Sequence, residues 1–206
     1  MLFKFGMTEC KSVSTPLDRN VKFRPDFGPA CDPKRFRQIV GSFIYLTITR
    51  SDLSYPVGLI SQFMAHPIVE HRILRYVSCS KDKGLLYRPG VAEQLVGTTD
   101  ADWARNVGDH RSTSRYAFSL GSVVVAWSSK KQPIVAPSSI EAEYRGAAGV
   151  TCEAIWLKRV LKDMQVELSN PMTIYYDNLS SIHLAKNPVF HARTKHIEVH
   201  YRFVRE

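Results

Sequence analysis

Gln94-Leu95-Val96-Gly97-Thr98-Thr99-Asp100-Ala101-Asp102-Trp103 is the stretch on which the reading of this chain turns. Gln94 to Gly97 read as the start of a strand, and two carboxylates stand near its end. Residues two apart on a strand share a face, so alternation places Asp100 and Asp102 together. Two more strand-like runs follow, Arg115–Leu120 and Val123–Trp127. The second is rich in β-branched residues, as a buried strand should be. Gly121-Ser122 between them suits a tight turn. The three runs predict an antiparallel meander, which Ser128-Ser129-Lys130-Lys131-Gln132-Pro133 closes as a basic polar loop.

Next comes a long amphipathic pattern. Ser138 and Ser139 offer N-caps to a helix reaching about Asp163. Glu143, Ala147, Val150, Ala154, Leu157 and Leu161 form one core-facing stripe. Glu143 tops that stripe, where a carboxylate is costly to bury. Glu141 lies roughly 200° round the helix from it and is expected on the solvent side, paired with Arg145. A fourth strand-like run, Ile174-Tyr175-Tyr176, ends in Asp177, and Asn178 can cap a helix from Leu179.

Taken singly, such acids are ordinary turn and cap residues. Taken together, they suit a hard divalent cation, which needs oxygen ligands. Two such ions can activate a water and stabilise the leaving oxygen of a phosphodiester. That reading requires the first and fourth strands to be neighbours. Both readings stand on residue pattern alone: an α/β domain with acidic turns, or a metal-dependent nuclease site.

Outward towards the N-terminus, residues 1–31 read as a connecting segment punctuated by Pro16, Pro25, Gly28 and Pro29. Residues 32–90 read as a small helical unit. Asp32 caps its first helix with Pro33 at the first helical position, and Phe36, Ile39, Val40, Phe43 and Ile44 keep helical spacing. Ser51 or Asp52 caps a second helix towards Met64, and a third covers Val69 to Val77. Lys83–Tyr87 reads as a strand. Residues 93–206 form the strand-and-helix unit. Trp103, Trp127 and Trp156 are expected in the core. His191, His196 and His200 lack a convincing further ligand for a metal.

Composition narrows the class. With 206 residues and 44% hydrophobic content, a packed core can form. The net charge of +9 favours a polyanionic partner. The excess is concentrated in residues 1–95, with 14 basic against 8 acidic residues. Cys10, Cys31, Cys79 and Cys152 form no CxxC pair, which speaks against a zinc ribbon or a secreted disulfide scaffold. There is no signal-peptide pattern and no bilayer-length apolar run, so the expectation is an intracellular chain, in cytoplasm or nucleus, without a membrane partner.

The motifs together resemble a known family. Val40-Gly41-Ser42, Asp52-Leu53-Ser54-Tyr55 and Arg72-Ile73-Leu74-Arg75-Tyr76 are similar to the segment after the reverse-transcriptase palm in Ty1/copia-type retrotransposon Pol polyproteins. Thr99-Asp100-Ala101-Asp102-Trp103-Ala104, Arg111-Ser112-Thr113-Ser114, Trp127-Ser128-Ser129-Lys130-Lys131-Gln132, Glu141-Ala142-Glu143-Tyr144, Tyr176-Asp177-Asn178 and Arg193-Thr194-Lys195-His196-Ile197 resemble its RNase H domain. The resemblance implies an RNase H-like mixed sheet with flanking helices. It implies Mg2+-dependent cleavage (Mn2+ as the alternative ion) of the RNA strand of an RNA–DNA hybrid, with the rest of the retroelement polyprotein as partner. Asp100, Glu143 and Asp177 would be the catalytic, metal-holding carboxylates, with Asp102 as an alternative to Asp100. Ser112, Lys130 and Lys131 would be substrate-binding candidates.

Arg105 and Arg115 stand where the family usually has glycine, so strain or crowding is expected at both. The chain ends before the family's fifth strand and fourth acid, which implies weakened or lost activity. The rival expectation is a non-catalytic retroelement relic that still binds nucleic acid.

Overall fold

A computed structural model describes residues 2–7, 10–18, 32–65, 72–88, 94–106, 108–168 and 170–177. The chain divides into two compact units, Met1–Leu86 and Tyr87–Glu206. The helix expected after Asn178 and the three late histidines lie outside the described residues.

The first unit is helical: α1 (Pro33–Leu46), α2 (Ser54–Ile60) and α3 (Arg72–Cys79). Asp32 caps α1 by accepting the Lys34 N–H at 3.0 Å, with Pro33 at the first helical position. The expected second helix is α2 flanked by two single 3-10 turns, Ser51–Leu53 and Ser61–Phe63. Phe36, Val40, Phe43, Leu53, Val57, Ile60, Ile73, Leu74 and Val77 form its core. Phe5, from a 3-10 turn near the N-terminus, is buried among them. Arg72 and Arg75 tie the following lead-in to α3 through the Thr15 and Lys11 carbonyls. Ile44 lies half-exposed, off the buried face of α1. Lys83–Tyr87 is not a strand. It has no ladder partner among the described residues, and β-propensity alone does not make one.

One polar cluster joins the start of α2 to the end of α3. Arg50 donates to both Asp52 oxygens at 2.9 and 2.7 Å, and to the Ser80 carbonyl and hydroxyl. Tyr76 donates its hydroxyl to Asp52 at 2.7 Å. The Arg50 hydrogen bond holds the Asp52 carboxyl below its ordinary value. A depressed folded pKa means stability present above the ordinary carboxylate value and lost as pH falls through the folded one. Arg50→Gln is therefore expected to destabilise the chain at pH 7 by about 1–2 kcal/mol. In urea titrations the difference should narrow below pH ~4. A gap independent of pH would show that the Ser80 contacts alone matter.

Among the described residues the second unit carries a four-stranded mixed sheet in the order β3-β2-β1-β4, with an α/β, RNase H-like arrangement. β1 (Leu95–Asp102) pairs antiparallel with β2 (Thr113–Leu120), and β2 pairs antiparallel with β3 (Val123–Lys131). β4 (Thr173–Tyr176) runs parallel to β1, as the metal-site reading required. Gly121, at φ 60, supplies the left-handed conformation of the β2–β3 turn. β3 outlasts the expected loop. Ser128, Ser129, Lys130 and Lys131 pair with Tyr116, Arg115, Ser114 and Thr113. The ladder binds backbone groups, so polar side chains did not end it.

α4 (Ser139–Asp163) covers the sheet. Ser138 is its N-cap, accepting from the Glu141 N–H at 3.2 Å. Leu95 and Phe118 of the sheet meet Val150, Ala154 and Leu157 of the helix in one core. Two tryptophans depart from expectation. Trp103 stands just past β1 and Trp156 on the outer side of α4; both are about half exposed. The Trp103 indole N–H donates to the Ala136 carbonyl at 3.0 Å. Among the described residues no helix is long and apolar enough to cross a membrane.

Candidate active site

Parallel pairing puts Thr99 of β1 beside Tyr176 of β4. The next residues along are Asp100 and Asp177, so both strands deliver an acid to the same rim. The first turns of α4 cross that rim. Gly146, one turn after Glu143, lies close against β1 and β2. A Cβ there would stand 3.5 Å from Ser114 Oγ and 3.6 Å from Ala101 Cβ. This close approach brings Glu143 to the strand ends.

Asp100, Glu143 and Asp177 each offer a carboxylate oxygen, and these oxygens lie within 4.8 Å of one another. Their environments differ. Asp177 is exposed, Asp100 is partly exposed, and Glu143 is 8% exposed. Glu143 Oε2 is buried without a hydrogen-bond partner. Burial pushes the Glu143 pKa up, and the charges of Asp100 and Asp177 push it the same way, while the Tyr176 hydroxyl opposes them. A buried carboxylate oxygen without a donor, facing two more carboxylates, is unfavourable unless a cation completes it. Three hard oxygen donors fit Mg2+ or Mn2+ better than a soft metal.

The remaining expected residues fall elsewhere. Asp102 pairs with Arg105 at 3.1 Å and with Arg115, and stays outside the three-oxygen cluster. Ser112 is fully buried, its Oγ accepting the Ala104 N–H at 3.2 Å. Lys131 pairs with Asp109 at 2.7 Å. Lys130 is exposed. Glu141 does pair with Arg145, at 2.7 Å, but is 2% exposed and not on the solvent side. A helical angle alone does not reveal that burial.

Arg105 and Arg115 carry no left-handed backbone. The non-glycine residues with positive φ are Ala104, His110 and Gln165 among those described. Neither arginine takes up the backbone conformation that would call for glycine, so the expected backbone strain is absent at both, while Arg115 is crowded closely against Asp102. Residue pattern missed Tyr176 as a neighbour of Glu143 and Arg115 as a neighbour of Asp100. Cross-strand register carries the second signal, and turn geometry shares in setting it, so residue type alone does not give it.

Over its whole length the chain is similar to retrovirus-related Pol polyproteins. It is 41% identical over 211 residues to that from transposon RE2 of Arabidopsis thaliana, and 41% over 211 residues to that from transposon RE1 of the same plant. It is 36% identical over 219 residues to that from transposon TNT 1-94 of Nicotiana tabacum. Each alignment covers 100% of this chain but only 14–16% of the relative, so the chain spans a small part of these polyproteins. No family model matches the chain, and no solved structure matches it.

Proposed function

This chain belongs to the retrovirus-related Pol polyproteins of copia-type transposons, and we propose that its second unit is an RNase H-type endonuclease that cuts the RNA strand of an RNA–DNA hybrid with Mg2+. The observation that carries the reading is the meeting of three carboxylate oxygens within 4.8 Å at one sheet rim. The RNase H-like sheet and the basic charge support it.

Asp100, Glu143 and Asp177 would hold the cation. Mg2+ bound there would lower the pKa of a water and stabilise the leaving oxygen. The chain's own residues divide the remaining work. Buried Glu143, near the head of α4, forms the inner side of the site. Exposed Asp177 leaves the outer side open to a phosphodiester. Exposed Lys130, at the end of β3, offers a free-standing charge to the backbone of the hybrid. Lys131 is committed to Asp109 and contributes less. Recognition would follow backbone shape and 2′-hydroxyls, not base sequence. Other retroelement domains are the proposed partners, and the cytoplasm or nucleus the proposed compartment.

The test uses the full chain and a hybrid with end-labelled RNA. With Mg2+ the RNA strand should be cut, the DNA strand left whole, and chelation should stop the reaction. Asp177→Asn should lower the rate about 100-fold or more. No cleavage by the unaltered chain, with equal gel retardation by it and Asp177→Asn, would instead establish a non-catalytic nucleic-acid-binding relic.

A further inference from the structure

Four acids and two arginines crowd the rim. Arg115 stands directly opposite Asp100 in the β1–β2 register, so their side chains share a face. Its Nη1 lies 3.8 Å from Asp100 Oδ2, and its Nη2 meets Asp102 Oδ2. Arg105 is a second cation on Asp102, at 3.1 Å. Asp100 is also one of the three residues whose oxygens converge, and buried Glu143 Oε2 lacks a hydrogen-bond partner there. One carboxylate therefore faces both a guanidinium and the place a divalent cation would take.

We propose that Arg115 is a built-in competitor for that cation: its guanidinium, held between Asp102 and Asp100, neutralises part of the charge at the rim and sets the metal affinity low. This rests on the reading of Asp100, Glu143 and Asp177 as a metal site. The competition is relieved when the side chain turns fully to Asp102. Asp102 thereby gains a role without touching the metal, because it determines how much of the guanidinium charge Asp100 feels. A like charge a few ångströms from a metal ligand opposes binding, and at a half-exposed rim the effect on affinity is about tenfold.

The experiment is calorimetric titration of the full chain with Mg2+ alone, without nucleic acid. Arg115→Gln and Arg115→Met remove the charge while keeping most of the side chain's reach, and circular dichroism verifies their fold. Both variants should bind Mg2+ about tenfold more tightly than the unaltered chain. Binding by the variants when the unaltered chain shows none supports the proposal equally. Equal or weaker binding by both folded variants, with measurable binding by the unaltered chain, overturns the competition and leaves the metal site standing. Binding by none of the three overturns both. Agreement between the two neutral replacements separates loss of charge from any particular effect of the new side chain.

Discussion

Glu143→Gln is expected to stabilise the metal-free protein and, at the same time, abolish its response to Mg2+. The two signs follow from one geometry. Like charges about 5 Å apart, the scale set by oxygens lying within 4.8 Å of one another, repel by about 3 kcal/mol at the effective dielectric of a protein surface. Exposure of Asp177 and part-exposure of Asp100 screen this to ~1 kcal/mol per pair. Burial adds its own cost to the ionised Glu143, and it is the largest cause of the raised pKa. A carboxyl whose folded pKa is raised folds best protonated. Metal-free stability should therefore fall as pH climbs from the ordinary glutamate value, 4.5, through the raised one. An amide removes both the charge and that slope. The metal-free variant should gain about 1–2 kcal/mol at pH 7 in urea titrations. Mg2+ at a hundred times its Kd should add about 2.7 kcal/mol to the unaltered chain and next to nothing to the variant. Loss of stability in metal-free Glu143→Gln, with the Mg2+ response intact, would mean that the carboxylate serves as a structural hydrogen-bond acceptor.

That trade of stability against binding also explains what the sequence could reveal. Glu143 was legible because it violates its helix's pattern: an acid at the head of an apolar stripe calls for a reason. Asp100 and Asp177 were legible only as strand-end acids, and their meeting depended on a parallel neighbour relation that residue types do not encode. Period and turn chemistry located β1, β2, β4 and α4 because each has an apolar face or a glycine turn. The polar end of β3 was invisible for the complementary reason, since its pairing is entirely backbone. Glu141 failed by angle: a helical wheel knows one helix, and Glu141 is buried on the side the wheel left to solvent. Arg115 failed differently. Its identity suggested strain, but its backbone is ordinary, and its register sets it beside Asp100 and Asp102, where its charge is consequential.

Gly97→Ala should be the most damaging small substitution in the sheet. Gly97 pairs with Phe118 across β1 and β2. A Cβ on Gly97 would lie 2.6 Å from Phe118 Cε1, 3.1 Å from Cδ1 and 3.2 Å from Cζ. The first distance is far inside van der Waals contact, and three ring atoms are involved, so a slight tilt does not relieve it. The ring is fully buried in the core that joins the sheet to α4. It is not the free end of a flexible side chain. Alanine's better strand propensity, worth at most about 1 kcal/mol, is outweighed by overpacking of about 1–3 kcal/mol. A branched side chain should cost more. The cause is isolated by a double-mutant cycle with Phe118→Leu. Phe118→Leu alone should destabilise by about 1–2 kcal/mol through the space it leaves. In that background Gly97→Ala should be nearly neutral, because the methyl enters that space. Additive losses would mean that the glycine is needed for its backbone freedom and not for the ring.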